Sequence, residues 1–164
     1  VSFEGDLITG TVEGLFTFRG NYHRDTTSYG TAQITKEQFA EKFWTFETGK
    51  LLKSGGSSYW SGNGWTGQPL IISWPKETKW RMNIYPEKKA KENFVEVIYS
   101  GMDGYIHFLD LEDGTESRDP IHVGMVFKGT ASLHPAGIPL LVLGSGDAQT
   151  ASSNGCNPLS GIPP

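Results

Sequence analysis

The sequence predicts an all-β chain of antiparallel strands, and three observations carry that prediction. The first is the run Val97-Ile98-Tyr99-Ser100-Gly101-Met102-Asp103-Gly104-Tyr105-Ile106-His107-Phe108-Leu109-Asp110. β-Branched and aromatic residues crowd Val95 to Tyr99. Beyond a Gly/Asp turn, Ile106, Phe108 and Asp110 alternate with Tyr105, His107 and Leu109 at the two-residue period of a strand, so the run reads as a hairpin. The second is a partial copy, Leu141-Val142-Leu143-Gly144-Ser145-Gly146-Asp147, whose aspartate follows the first by 44 positions, from 103 to 147. The third is composition. Gly takes 21 of 164 positions and only 20% are charged, against about a quarter in ordinary domains, which favours tight turns over solvated helices.

A repeat of about 40–50 residues built from short strands has the length of a propeller blade. At these residues the chain resembles the pyrroloquinoline quinone-like β-propellers. The run SGMDGYIHFLDLEDG is similar to their repeat, in which an apolar strand ends in a small-residue turn and the next strand ends "LD-x-x-x-G", with Asp110 and Gly114 in the last two places. Phe18-Arg19-Gly20-Asn21 with Arg24 is similar to their "FRGN-x-x-R" segment, and Phe43-Trp44-Thr45-Phe46-Glu47-Thr48-Gly49 to their "W-x-F-x-TG" strand and turn. The resemblance covers most of Phe16 to Asp147. It implies antiparallel blades in an incomplete ring, with about two blades over residues 16–147, an arm or strand at 1–15 and a Gly/Ser/Pro-rich tail at 148–164. Arg19, Gly20, Asn21, Trp44, Gly49, Asp103, Gly104, Asp110, Gly114 and Asp147 become turn and repeat positions. The ring would be completed by further blades of a longer chain or by a homo-oligomer, in an extracellular or cell-envelope setting. An open wedge of this kind is expected to expose apolar faces built from Ile106, Phe108 and Leu141. The family usually places a docking Trp several residues after the "LD-x-x-x-G" turn, and residues 115–126 contain none.

Taken in order, residues 20–30 are rich in Asn, Asp, Thr, Ser and Tyr without a period and read as a connecting loop. Thr35-Lys36-Glu37-Gln38 has capping-box spacing, which predicts a short helical turn over 36–42 with Phe39 and Phe43 on one face. From Phe43 the period becomes two, with Trp44 and Phe46 on one side, and Thr48-Gly49 closes that strand. Residues 54–67 read as a Gly-rich loop holding Tyr59, Trp60 and Trp65. Pro69 to Trp74 reads as a strand ended by Pro75, with Pro69 tolerable at its first position. The polar stretch 76–93 reads as an inserted loop, because Thr66 and Thr130 lie 64 positions apart, not 44. Residues 119–127 read as a strand, and 129–135 with 139–144 as a second strand pair.

Charge and motifs narrow the chemistry. A net charge of −4 spread along the chain offers no basic face to displace counterions, which excludes nucleic acid as the expected partner. The cluster Lys88-Lys89-Ala90-Lys91 is flanked by Glu87 and Glu92 and reads as a solvated loop. No apolar run approaches the roughly 20 residues of a bilayer span. Cys156 has no partner for an internal disulfide. His23, His107, His122 and His134 lack metal-pair spacing, and no nucleophile elbow or phosphate-cradling loop is present, so a non-catalytic module is expected. Tyr59, Trp60 and Trp65 are the candidate ligand residues. Flat aromatic faces between glycines can stack on a sugar, quinone or peptide, or they can pack a seam between blades. No cofactor is expected for a binding or scaffolding module of this kind. Pyrroloquinoline quinone with calcium would enter only if the chain were a piece of a quinoprotein dehydrogenase. A third reading is an envelope-assembly scaffold that grips partner peptides as added strands.

Overall fold

The computed structural model describes residues 12–25, 28–31, 33, 35, 43–63 and 67–146. The described part is made mostly of small antiparallel sheets with two short helices. The strands are β1 (Gly14–Leu15), β2 (Lys50–Leu52), β3 (Tyr59–Ser61), β4 (Leu70–Ile72), β5 (Glu96–Ser100), β6 (Tyr105–Asp110), β7 (Ile121–His122), β8 (Ser132–Leu133) and β9 (Leu141–Val142). The helices are α1 (Lys76–Arg81) and α2 (Pro86–Ala90), both between β4 and β5. The main sheet runs β1-β4-β5-β6-β7, while β2-β3 and β8-β9 are separate hairpins.

The β5–β6 hairpin forms as the residue pattern requires, with Ile98 opposite Phe108 and Ser100 opposite Ile106. The register divides the sheet into two faces. Leu70, Ile72, Glu96, Ile98, Ile106, Phe108 and Asp110 share one face, and Val97, Tyr99, His107 and Leu109 share the other. The first face carries the main core, where Leu70, Ile72, Ile98, Ile106 and Phe108 pack with Trp74, Met82, Ile84, Phe94, Phe127 and Leu133. Ile106 and Phe108 are therefore buried, not exposed as an open wedge would leave them.

The second face is covered by residues 44–52. Phe46 packs edge-on against His107 with ring centroids 4.9 Å apart, and Trp44 Nε1 donates to Leu111 O at 2.9 Å. Trp44, Phe46 and Thr48 are half-buried while their neighbours are exposed, so the period of two holds. Residues 44–49 nonetheless join no ladder, and the strand begins at Lys50, one residue after the glycine expected to end it. The expected strand over 119–127 shrinks to Ile121–His122.

Residues 76–93 are not the solvated loop their polarity suggests. Pro75 precedes α1 and Pro86 occupies the first turn of α2, positions where a fixed φ and a missing N–H suit a helix start. Between and beside the helices, Met82, Ile84 and Phe94 enter the core, and Lys79 and Lys88 are buried. The expectations for the helical turn at 36–42, for most of the 1–15 arm, for the 148–164 tail and for Cys156 fall outside the described residues, apart from Thr35 and Phe43. No described helix is long and apolar enough to cross a membrane.

Candidate functional site

The β2–β3 hairpin is the part of the surface where aromatic and cationic groups converge. Residues 54–58 form its turn, so Tyr59 and Trp60 lie on a strand and not in an open loop. Lys50 pairs with Ser61, Leu51 with Trp60 and Leu52 with Tyr59. Lys50, Leu52 and Tyr59 therefore share the outer face, and Leu51 and Trp60 the inner one. Lys50 Nζ lies 4.5 Å from the Tyr59 ring centroid, and Lys53 Nζ 4.1 Å from that of Trp60. Both are diagonal neighbours across the hairpin, within reach of long side chains. Lys128 Nζ adds a third contact, 4.7 Å from the Trp60 ring. The indole Nε1–H of Trp60 is buried with no acceptor among the described residues. Trp65, the remaining aromatic candidate, lies outside the described residues. The lysines were not singled out in the sequence; their signal is the 50/53 spacing, which means something only once the hairpin register is known.

The hairpin is held at both ends by the β5–β6 turn. Asp103 accepts from Gly49 N–H at 2.9 Å, from Tyr105 N–H at 3.2 Å and from His107 Nε2 at 2.9 Å. Met102 N–H donates to Gly62 O at 3.3 Å, so the residues bracketing β2 and β3 are tied to one corner. Gly104 has φ 86°, and Leu51 packs over it so closely that an added Cβ would sit 3.4 Å from Leu51 Cδ2. His107 uses one ring nitrogen for Asp103, while its Nδ1 is buried with no partner among the described residues. Among the described residues no serine or cysteine is hydrogen-bonded to this acid–imidazole pair.

The other repeat positions are distributed over the sheet. Arg19 and Arg24 have φ of 60° and 61°, Gly20 has φ 93°, and both arginine side chains are exposed. This loop is fastened by its backbone, with Arg19 N–H on Gln68 Oε1 at 3.2 Å, and by Asn21 Nδ2 on Asp25 Oδ1 at 2.7 Å. Gly114 has φ 70° and lies against the Trp44 indole, so the Asp110–Gly114 turn is docked by a tryptophan upstream in sequence, not downstream. Asp147 lies outside the described residues.

Asp110 is the centre of an ion cluster. It is 1% exposed and meets Lys88 Nζ at 2.8 Å and Lys91 Nζ at 2.6 Å. Burial pushes its carboxyl up, but hydrogen bonds from Lys88, Lys91 and the Glu112 N–H outweigh it and hold the pKa below the usual value. Asp113 is held well below the usual range, first by Thr115 and then by Lys88. Lys91 is held above its usual value by Asp110 and Glu112. A pocket of about 360 Å³ opens beside the cluster, lined by Lys91, Asn93, Asp110 and Glu112 among others. Across the ladder from Asp110 is Glu96, fully buried and bound by Trp74 Nε1 at 2.7 Å, Ser117 Oγ and Arg118 Nη2 at 2.8 Å. Two carboxylates directly opposite on adjacent strands repel. Here each has its own cation.

Fold and surface together define an antiparallel β protein with an aromatic–lysine hairpin fixed to one sheet corner. No family model, curated protein or solved structure matches the chain. Asp103 is committed to two backbone N–H groups and His107, and Asp110 to two lysines, and no three candidate ligands converge among the described residues.

Proposed function

We propose that the chain is part of a pyrroloquinoline quinone-like β-propeller and works as a non-catalytic binding or scaffolding module, with the β2–β3 hairpin as its binding face. One observation carries the architecture: β4, β5, β6 and β7 are consecutive in sequence, antiparallel and adjacent in space, the plan of a single blade. The β8–β9 hairpin supports it as the start of a second unit. Ile138, Leu140 and Val142, at every other position, are 52%, 44% and 51% exposed, an apolar row of the kind that further strands cover.

Size-exclusion chromatography with light scattering, together with hydrophobic-dye binding, tests the reading. The 164-residue chain is expected to self-associate or bind the dye, and the triple variant Ile138→Ser/Leu140→Ser/Val142→Ser to lose that behaviour. A cooperative, dye-silent monomer overturns the incomplete-ring reading. Quinone-dependent alcohol or sugar oxidation, with pyrroloquinoline quinone and calcium supplied, overturns the non-catalytic one.

A further inference from the structure

We infer that the open edge of β2 takes an extended, acidic polypeptide segment as an added antiparallel strand. This rests on the reading of the hairpin as the binding face and names its ligand class. The edge follows from the register. Lys53 N–H donates to Ser58 O, which makes 53/58 a hydrogen-bonded pair. Antiparallel pairs alternate, so 51/60 is bonded and 50/61 and 52/59 are not. The N–H and C=O groups of Lys50 and Leu52 therefore point away from β3. No described residue pairs with them, and among the described residues β2 and β3 form a sheet of two strands. An added strand would satisfy these groups by main-chain bonding, while its side chains meet those beside the edge.

Charge sets the chemistry of that strand. Lys50 and Lys53 have no carboxylate within 4.0 Å among the described residues, whereas Lys88 and Lys91 are bound to Asp110, Asp113 and Glu112. Lys50 and Lys53 lie instead over Tyr59 and Trp60. A ring quadrupole attracts an ammonium group without neutralising it, so both positive charges stay available in a chain of net charge −4. Leu52, 52% exposed beside Tyr59, offers an apolar contact on the same face as Lys50. A stacked sugar fits less well, because lysine ammonium groups already lie over both rings.

The test is fluorescence anisotropy on the full chain with three probes: a fluorescein-labelled Glu/Val peptide repeating Glu-Glu-Val-Val, which puts carboxylates on both faces of a strand, its Lys/Val counterpart, and the Glu/Val peptide N-methylated at every residue. The Glu/Val peptide is expected to bind and the Lys/Val peptide not to. Lys50→Glu/Lys53→Glu should weaken Glu/Val binding by about tenfold or more, while Lys76→Glu, on α1, should leave it unchanged. N-methylation removes main-chain donors without touching the protein, so it should abolish binding. Equal binding of the N-methylated peptide, or of heparin in its place, would reduce the effect to charge alone and overturn strand addition. Failure of the Glu/Val peptide while the Ile138/Leu140/Val142 variant behaves as expected removes this ligand class only. Peptide binding by a dye-silent, cooperative monomer keeps the edge and removes the incomplete ring.

Discussion

Replacing Lys88 with Met separates the buried-cation structure from the solvated loop that the local sequence suggests. The Lys88 side chain is 8% exposed, and its Nζ reaches Asp110 at 2.8 Å, Asp113 at 2.9 Å and Thr115 Oγ1 at 2.7 Å. Removing one partner of a buried pair costs about 3–5 kcal/mol, because the remaining charge is left in low dielectric. Asp110 keeps Lys91 and the Glu112 N–H, so the lower end applies, about 3 kcal/mol. At about 2–4 °C per kcal/mol for a chain of this size, Tm falls by roughly 6–12 °C. Lys91→Met is the contrast. Its side chain is 31% exposed, so water screens its pairs with Asp110 and with the 74% exposed Glu112, Asp110 keeps Lys88, and a smaller loss of about 1–2 kcal/mol is expected. Urea denaturation followed by tryptophan fluorescence measures both. The sign of the pH dependence is set by the aspartates. Asp110 and Asp113 have lowered folded pKa values, so their contribution is present above the unfolded value near 3.8 and is lost as pH falls through the folded ones. The Lys88→Met deficit should thus be full at neutral pH and shrink in acid, where the wild type loses the same pairing. A Lys88→Met protein within about 0.5 kcal/mol of wild type at pH 7, the scatter of ordinary surface substitutions, would refute the reasoning.

Three further outcomes follow from single contacts. Gly114→Ala would put a Cβ 2.5 Å from the Trp44 ring at φ 70°, so a loss of about 2–4 kcal/mol is expected from left-handed strain and the Trp44–Leu111 hydrogen bond, read by urea denaturation. Asp103→Ala strands the buried His107 and the part-buried bonds from Gly49 N–H and Tyr105 N–H, costing about 2–4 kcal/mol, and hydrogen exchange at Gly49 should rise with it. Tyr85 donates to Asp119 at 2.6 Å, and that bond, then burial and the nearby acids, push its pKa up to about 12. In an ultraviolet titration Asp119→Asn should return one tyrosine toward the ordinary value of about 10.

The sequence made the β5–β6 hairpin legible because both of its signals are local. Alternation assigns Ile106 and Phe108 to one face and Tyr105 and His107 to the other, and the Gly/Asp corner marks the turn. The strand over Leu70–Ile72 and the pairing of 129–135 with 139–144 were legible for the same reason. The two helices were not. Residues 76–93 are polar enough to pass for a loop, and the prolines at 75 and 86, which start helices here, also end strands and open loops. Their apolar anchors, Met82 and Ile84, fall between the helices, where no helical period reveals them.

The candidate site was half legible, and the missing half is a matter of register. Tyr59 and Trp60 stand out in any reading, but whether they line a loop or a strand depends on the chain folding back at 54–58 to meet Lys50–Leu52. Nothing within 54–67 encodes that partner. Part of that signal lies 54 residues beyond Gly49, in Asp103, whose carboxylate holds the Gly49 N–H just before β2 starts. A shift of one residue in β2 would turn Lys50 and Leu52 to the inner face and Leu51 outward. Asp103, from a turn outside the hairpin, therefore helps set which lysines meet which rings and which backbone groups line the open edge.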